Sequence, residues 1–276
     1  MYKTLLVPVD GRSKSTRSLE LACRIASTYD AHVVGLFVEP SGYIPSAARA
    51  EGAEKLLQEL QRKVSAQAAA EARARFDSVM KPAAMQRAEW RIAQGPRAEA
   101  LALHARYADL VIINQTDSES PDATHFGDGV LLAVSKPVLL VPYVGEMKTF
   151  GQNVLVCWNA SREASRALTD ALPLLKAAAK VTVLTVDGRG SVNGHGDSPG
   201  SDIALYLARH GINTVTAQTV SGDMDVGSLI LSRTFDLGAD LIVMGAYGHS
   251  RAREIVMGGA TRTVLQSMTA PVLMSH

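Results

Sequence analysis

The sequence predicts an α/β protein made of two tandem doubly wound, mainly parallel five-stranded sheets, and three observations lead there. The chain repeats itself: Leu5-Leu6-Val7-Pro8-Val9-Asp10 returns as Val154-Leu155-Val156-Cys157-Trp158-Asn159, aligning Asp10 with Asn159. Continuous apolar runs alternate with stripes of helical spacing, the pattern of parallel strands buried on both faces and joined by helices. Each half then closes on a proline and a short apolar strand, Pro137-Val138-Leu139-Leu140-Val141 and Pro271-Val272-Leu273-Met274. Right-handed crossovers turn such an order into a doubly wound sheet.

The 276 residues are too many for one small domain and suit two, at roughly 100–200 residues each. The expected domains are 1–144 and 152–276, with Gly145 and Gly151 breaking the apolar pattern of the linker. In the first, strand 5–10 carries Pro8, which sits badly in a fully hydrogen-bonded central strand and marks a local irregularity. Thr16, Leu19, Cys23 and Ala26 then fall on one helical face, and Ser165, Leu168, Leu172 and Leu175 repeat it in the second half. Val33–Val38 matches Thr182–Asp187, and Asp109–Ile113 matches Asp240–Met244, as further strands. The halves differ between. Residues from about 49 to 80 favour a long, half-exposed helix with Leu57, Leu60 and Val64 as its apolar stripe, followed by a strand with Trp90 in the core. The matching stretch 187–200 holds five glycines and reads as a flexible loop, after which Ser201 is expected to cap a helix bearing Ile203, Tyr206, Leu207 and His210.

Composition narrows the function. A net charge of +1 and a pI near 7.8 give no field that would draw the chain to nucleic acid or to a membrane surface. There is no apolar run of transmembrane length and no secretory leader, so the cytoplasm is the default. Cys23 and Cys157 sit inside apolar patterns and read as small core residues of a reducing compartment. Two short closing strands of equivalent sequence are expected to pair antiparallel, so that one chain imitates a homodimer; a further homodimer of the whole chain stays open.

The strongest local signal runs from Met244 through Gly245, Gly248, His249, Ser250 and Arg251 to Gly258, Gly259, Ala260 and Thr261. It leaves the carboxyl end of one expected strand and enters an expected helix, which is where open parallel sheets bind ligands. Glycines let a backbone approach phosphate, and helix N–H groups supply donors and partial positive charge. A simple turn after a strand explains one glycine, and explains four on both sides of a nine-residue segment less well.

The spacing Gly-x2-Gly-x9-Gly resembles the ATP-binding signature of the universal stress protein family. The Val-Pro-Val-Asp strand end, the Ala-Pro-Val closing strand and the length of each half are similar to that family too, over nearly the whole chain. The resemblance implies a Rossmann-like fold of the adenine nucleotide alpha hydrolase-like kind and ATP, with or without Mg²⁺, as the ligand. It implies that Gly245, Gly248, Gly258 and Gly259 wrap the phosphates and ribose, while Trp158, Asn159 and Ala160 stand at the adenosine end. Two residues depart from the family: Gly259 where a Ser or Thr usually follows the third glycine, and Asn159 where an Asp usually ends the first strand. The first half keeps Asp10 but follows the strand ending at Ile113 with Asn114-Gln115-Thr116-Asp117-Ser118-Glu119, acidic and without a glycine pair, so it is expected not to bind ATP and to use Asp10 as a strand-end capping or turn residue.

Other candidates favour plainer readings. His195 with Asp197 lacks a third metal ligand, His104 and His210 belong to helical patterns, and His276 is expected to be exposed. His249 suits a phosphate contact or a loop surface equally. Arg12, Lys14 and Arg17 form an ordinary solvated basic face. Three function classes remain: a non-catalytic ATP-binding stress or signalling protein read by a protein partner of unknown identity, a slow ATPase or nucleotide-dependent enzyme, and an adaptor that binds no nucleotide. No Walker sequence and no nucleophile–base pair supports the second, so no catalytic residue is named.

Overall fold

A computed structural model describes residues 1–10, 15–39, 54–115, 129–187, 200–247 and 259–276. The chain forms an α/β fold of two compact units. The first takes the chain up to Asn114 together with the helical turn at 129–133; the second takes Gln115 and everything from Pro137 onward.

In the first unit, strands β1 (Thr4–Pro8), β2 (His32–Glu39), β3 (Ala88–Gln94) and β4 (Leu110–Asn114) are all parallel and lie in the order β3-β2-β1-β4. The Pro8 irregularity has a simple outcome. Against β4, β1 is registered only at Leu5 and Leu6, so Pro8 falls where the second ladder has ended and its missing N–H is not needed. Helix α1 (Ser15–Tyr29) buries Leu19, Cys23 and Ala26 of the expected stripe, with Thr16 only half-buried, and adds Leu21, Ala22 and Ile25.

Helix α2 (Glu54–Met80) corrects two expectations. Its seated face is Ala72, Phe76 and Met80, whereas Leu60 and Val64 of the expected stripe stand largely in solvent and Leu57 is only half-buried. Gly35 of β2 accounts for the difference. The Phe76 ring lies 2.5 Å from where a Cβ on Gly35 would be, so a missing side chain in the sheet seats the carboxyl-terminal half of the helix. Trp90 is half-buried rather than core. It packs beside Phe76 with 5.4 Å between ring centroids and carries the Arg73 guanidinium at 5.8 Å. Helix α3 (Arg97–Ala105) completes this unit's labelled elements and buries Ala100, Leu101 and Ala105.

The second unit contains β5 (Val138–Val141), β6 (Asn153–Cys157), β7 (Lys180–Val186), β8 (Thr214–Thr219), β9 (Leu241–Gly245) and β10 (Val272–Ser275) in the order β5-β10-β9-β6-β7-β8. All of its pairings are parallel but one. The two closing strands run antiparallel, Val138 against Met274, Leu139 against Leu273 and Leu140 against Val272, as the sequence leads one to expect. Thus β5 groups with the second unit although it ends the first repeat. Gln115, also of the first repeat, does likewise. It is 4% exposed, and its side chain donates to the carbonyls of Leu265 and Gln266 at 2.9 and 3.1 Å while accepting from the Tyr143 N–H at 3.2 Å. The linker glycines Gly145 and Gly151 have φ of 78° and 68°, a conformation open to glycine at little cost.

Among the described residues four helices belong to this unit: α4 (Arg162–Ala177), α5 (Ser201–Arg209), α6 (Val226–Asp236) and α7 (Gly259–Ser267). The Ser161 hydroxyl caps α4 by accepting from the Ala164 N–H at 3.1 Å. Leu168 and Leu175 of the expected α4 stripe are buried, Leu172 is half-buried and Ser165 is exposed. Ser201 is the first residue of α5 rather than its cap, and left-handed Gly200 with φ 89° stands before it. The glycine-rich stretch 188–199, with His195 and Asp197, lies outside the described residues. Among those described, no helix is long and apolar enough to cross a membrane.

Candidate functional site

Parallel strands end together on one side of a sheet, and the crossovers that leave them open a crevice there. In the second unit this crevice is a cleft of about 310 Å³, walled by Cys157 of β6 with Trp158 and Asn159 just after it, Leu184 and Val186 of β7, Val226 and Ile230 of α6, Met244 and Gly245 of β9, and Gly259, Ala260 and Thr261 of α7. Seven of the residues singled out from sequence therefore meet in one place: Trp158, Asn159, Met244, Gly245, Gly259, Ala260 and Thr261. Gly248, His249, Ser250, Arg251 and Gly258 lie outside the described residues. Ala160 does not line the cleft. It turns the chain into α4 with a left-handed φ of 57°.

The two site glycines differ in origin. A Cβ on Gly245 would come within 2.5 Å of the Ala164 backbone nitrogen and 2.6 Å of the Glu163 carbonyl carbon. The start of α4 presses against β9 here, which by itself requires a glycine at 245. Gly259 has nothing within 4 Å of its absent Cβ, so no described neighbour dictates it.

Polar groups around the cleft are tied to local turns. Asn159 Oδ1 accepts the Ser161 N–H at 3.1 Å. The Tyr247 N–H donates to the hydroxyl of Thr261 at 3.4 Å, and Thr261 is 4% exposed. Asp225 caps α6, accepting from the N–H groups of Gly227 and Ser228 at 2.9 and 3.3 Å and from the Ser228 hydroxyl. The Ser228 hydroxyl, with those N–H groups, holds the Asp225 carboxyl below the usual carboxylate range. Burial pushes the Cys157 thiol up to about 12, so it meets the cleft as a neutral S–H. Composition alone could not reveal Leu184, Val186, Val226 and Ile230 as wall residues, since they read as ordinary core positions of strand and helix.

Two further non-glycine residues adopt left-handed backbone just past strand ends, Asp187 with φ 53° after β7 and Tyr247 with φ 61° after β9. Together with Ala160 they put a sharp turn after each of the three strands that wall the cleft. Such conformations cost of order 1–3 kcal/mol and persist where surroundings enforce them. Asp187 is held by the Ser221 N–H and hydroxyl at 2.9 and 2.6 Å. No group of three or more metal-ligating side chains occurs among the described residues.

The first unit treats the corresponding strand end differently. Asp10 pairs with Arg97 at 3.2 Å, a partner that its reading as a strand-end capping or turn residue did not include. Arg97 opens α3 as Val226 opens α6, so where the second unit has an apolar wall the first has an ion pair. Asp117 and Glu119 lie outside the described residues.

Fold and cleft define a tandem doubly wound α/β protein. A profile of the universal stress protein family matches residues 1–142 and again 151–276, and the chain belongs to that family. Among solved structures, a universal stress protein from Archaeoglobus fulgidus DSM 4304 is similar over 98% of this chain and 97% of its own, with a TM-score of 0.73 and 17% identity. A functionally unknown protein from Pseudomonas aeruginosa PAO1 is similar over 99% of this chain and 92% of its own, with a TM-score of 0.61 and 14% identity. At such identities the likeness is one of fold. A universal stress protein in complex with cAMP is similar over 52% of this chain and 98% of its own, with 20% identity and a TM-score of 0.34. No curated protein matches the sequence.

Proposed function

We propose that this chain is a non-catalytic ATP-binding universal stress protein of the cytoplasm, with the nucleotide held in its second repeat and sensed by a protein partner. The observation that carries the reading is the cleft itself, in which Trp158, Asn159, Met244 and Gly245 converge with the amino end of α7 at Gly259–Thr261. Apolar Leu184, Val186, Val226 and Ile230 suit a flat base, and a helix start suits phosphate oxygens. The Asp10–Arg97 ion pair supports the absence of a second site in the first repeat. A protein partner would distinguish the filled cleft from the empty one.

Calorimetric titration of ATP with Mg²⁺ tests the reading. One site per chain, lost in Gly248→Val, with no ADP released over hours, is the expected outcome. Steady ADP release would favour a slow ATPase. No binding, with no nucleotide carried through purification, would leave an adaptor.

A further inference from the structure

Helix α2 seats Ala72, Phe76 and Met80 against its own unit and leaves its opposite side exposed. Helical periodicity puts Leu56, Lys63, Ala70 and Asp77 in line along that side, one every second turn. Leu56 and Leu60 stand 61% and 49% exposed at its amino end, and Ala66, Ala70 and Ala74 form its middle. Each end carries an ion pair. Lys63 Nζ lies 3.2 Å from Glu59 at one, and Asp77 lies 3.5 Å from Lys81 Nζ and 3.0 Å from Arg73 Nε at the other. Along the chain the signs therefore run Glu59 negative, Lys63 positive, Asp77 negative and Lys81 positive.

That order is complementary to itself in reverse. We infer that the exposed side of α2 is an interaction surface for a second copy of this chain, the two helices packing antiparallel across Ala70. About a twofold axis there, Lys63 comes level with the partner's Asp77, and Glu59 with the partner's Lys81. The signs are opposite in both contacts, and symmetry makes each contact twice. Ala70 meets the partner's Ala70, where a long or charged side chain would face its own copy and hold the helices apart. Leu56 covers the partner's Ala84, and Leu60 covers the aliphatic stem of the partner's Lys81. A parallel pairing in register would set Glu59 on Glu59 and Lys63 on Lys63, so charge selects the antiparallel one. One helix pair buries less than a standard interface, which makes the dimer weak and reversible. The inference is independent of nucleotide.

Sedimentation equilibrium of the full chain tests it, with charge reversal at the two contacting positions. The wild type is expected to pass from monomer to dimer across the micromolar range. Lys63→Asp and Asp77→Lys each put like charges into both symmetric contacts, and each should dimerise at least about tenfold more weakly. Mixed in equal amounts, the two variants bring a doubly acidic helix against a doubly basic one. They should form a heterodimer about as stable as the wild-type homodimer. Thermal unfolding checks that each variant is folded, and Ala70→Glu, at an exposed position that makes neither ion pair, should abolish the dimer at unchanged stability. A wild type that stays monomeric at every concentration overturns the inference. So does a dimer that survives the reversals or Ala70→Glu, and so does a mixture that stays monomeric.

Discussion

Glycine is the residue type on which the site argument turns, and one missing methyl group has opposite meanings at Gly245 and Gly259. Gly245→Ala drives a methyl group into the α4 backbone, 2.5 Å from the Ala164 nitrogen, where no flexible side chain can yield. Overpacking of that kind costs about 1–3 kcal/mol. Urea unfolding should show the loss, and a variant as stable as the wild type would contradict the packing account. Gly259→Ser should leave stability unchanged, because nothing lies within 4 Å. It adds a hydroxyl at the amino end of α7, and one hydrogen bond worth about 0.5–1.5 kcal/mol should tighten ATP binding up to roughly tenfold. The sequence grouped both glycines in one motif. It could not separate them, because the cause of Gly245 lies in Glu163 and Ala164, far away in the chain.

At the scale of elements, α2 and α6 carry the clearest expectations. Phe76→Ala empties the space under Gly35 and beside Trp90 and should cost about 3–5 kcal/mol in denaturant unfolding. Leu60→Ala, on the exposed half of the same helix, should change stability by no more than about 0.5 kcal/mol. Residue preference made this helix legible, but leucines outweigh alanine in any stripe drawn from sequence. The true face depends on Gly35, a residue of another element. Strands and their order were legible because parallel buried strands are continuously apolar, and the repeat doubled that signal. Helix α6 brings pH into play. Asp225 ionises more readily folded than its ordinary value near 3.8 because the Ser228 hydroxyl and two N–H groups bind the carboxylate. Its stabilisation is therefore complete above that value and lost as pH falls through the lower folded one. Asp225→Asn should be less stable than wild type at neutral pH, and the gap should close on acidification below pH 4 or so. A gap independent of pH would show that the cap acts without its charge.

For the whole molecule, the repeat in the sequence and the units in space do not share a border. Repetition places one boundary after the first closing strand, as do the family matches at 1–142 and 151–276. The compact units instead assign β5 and Gln115 to the second. Sequence made the closing strands legible as a pair, but not the hold that Gln115 takes on the last carbonyls of α7, since one glutamine at a strand end carries no pattern. Residues 142–152 thus read like an interdomain tether while both their ends belong to one packed unit. A protease that nicks the backbone once between 142 and 152 would cut a covalent link without removing the Val138–Met274, Leu139–Leu273 and Leu140–Val272 pairings or the Gln115 bonds. Two bands on a denaturing gel should then elute from a sizing column as one particle. Elution as two would mean that these contacts cannot substitute for the peptide bond. Where limited digestion ordinarily marks out domains, here it would yield complementing fragments.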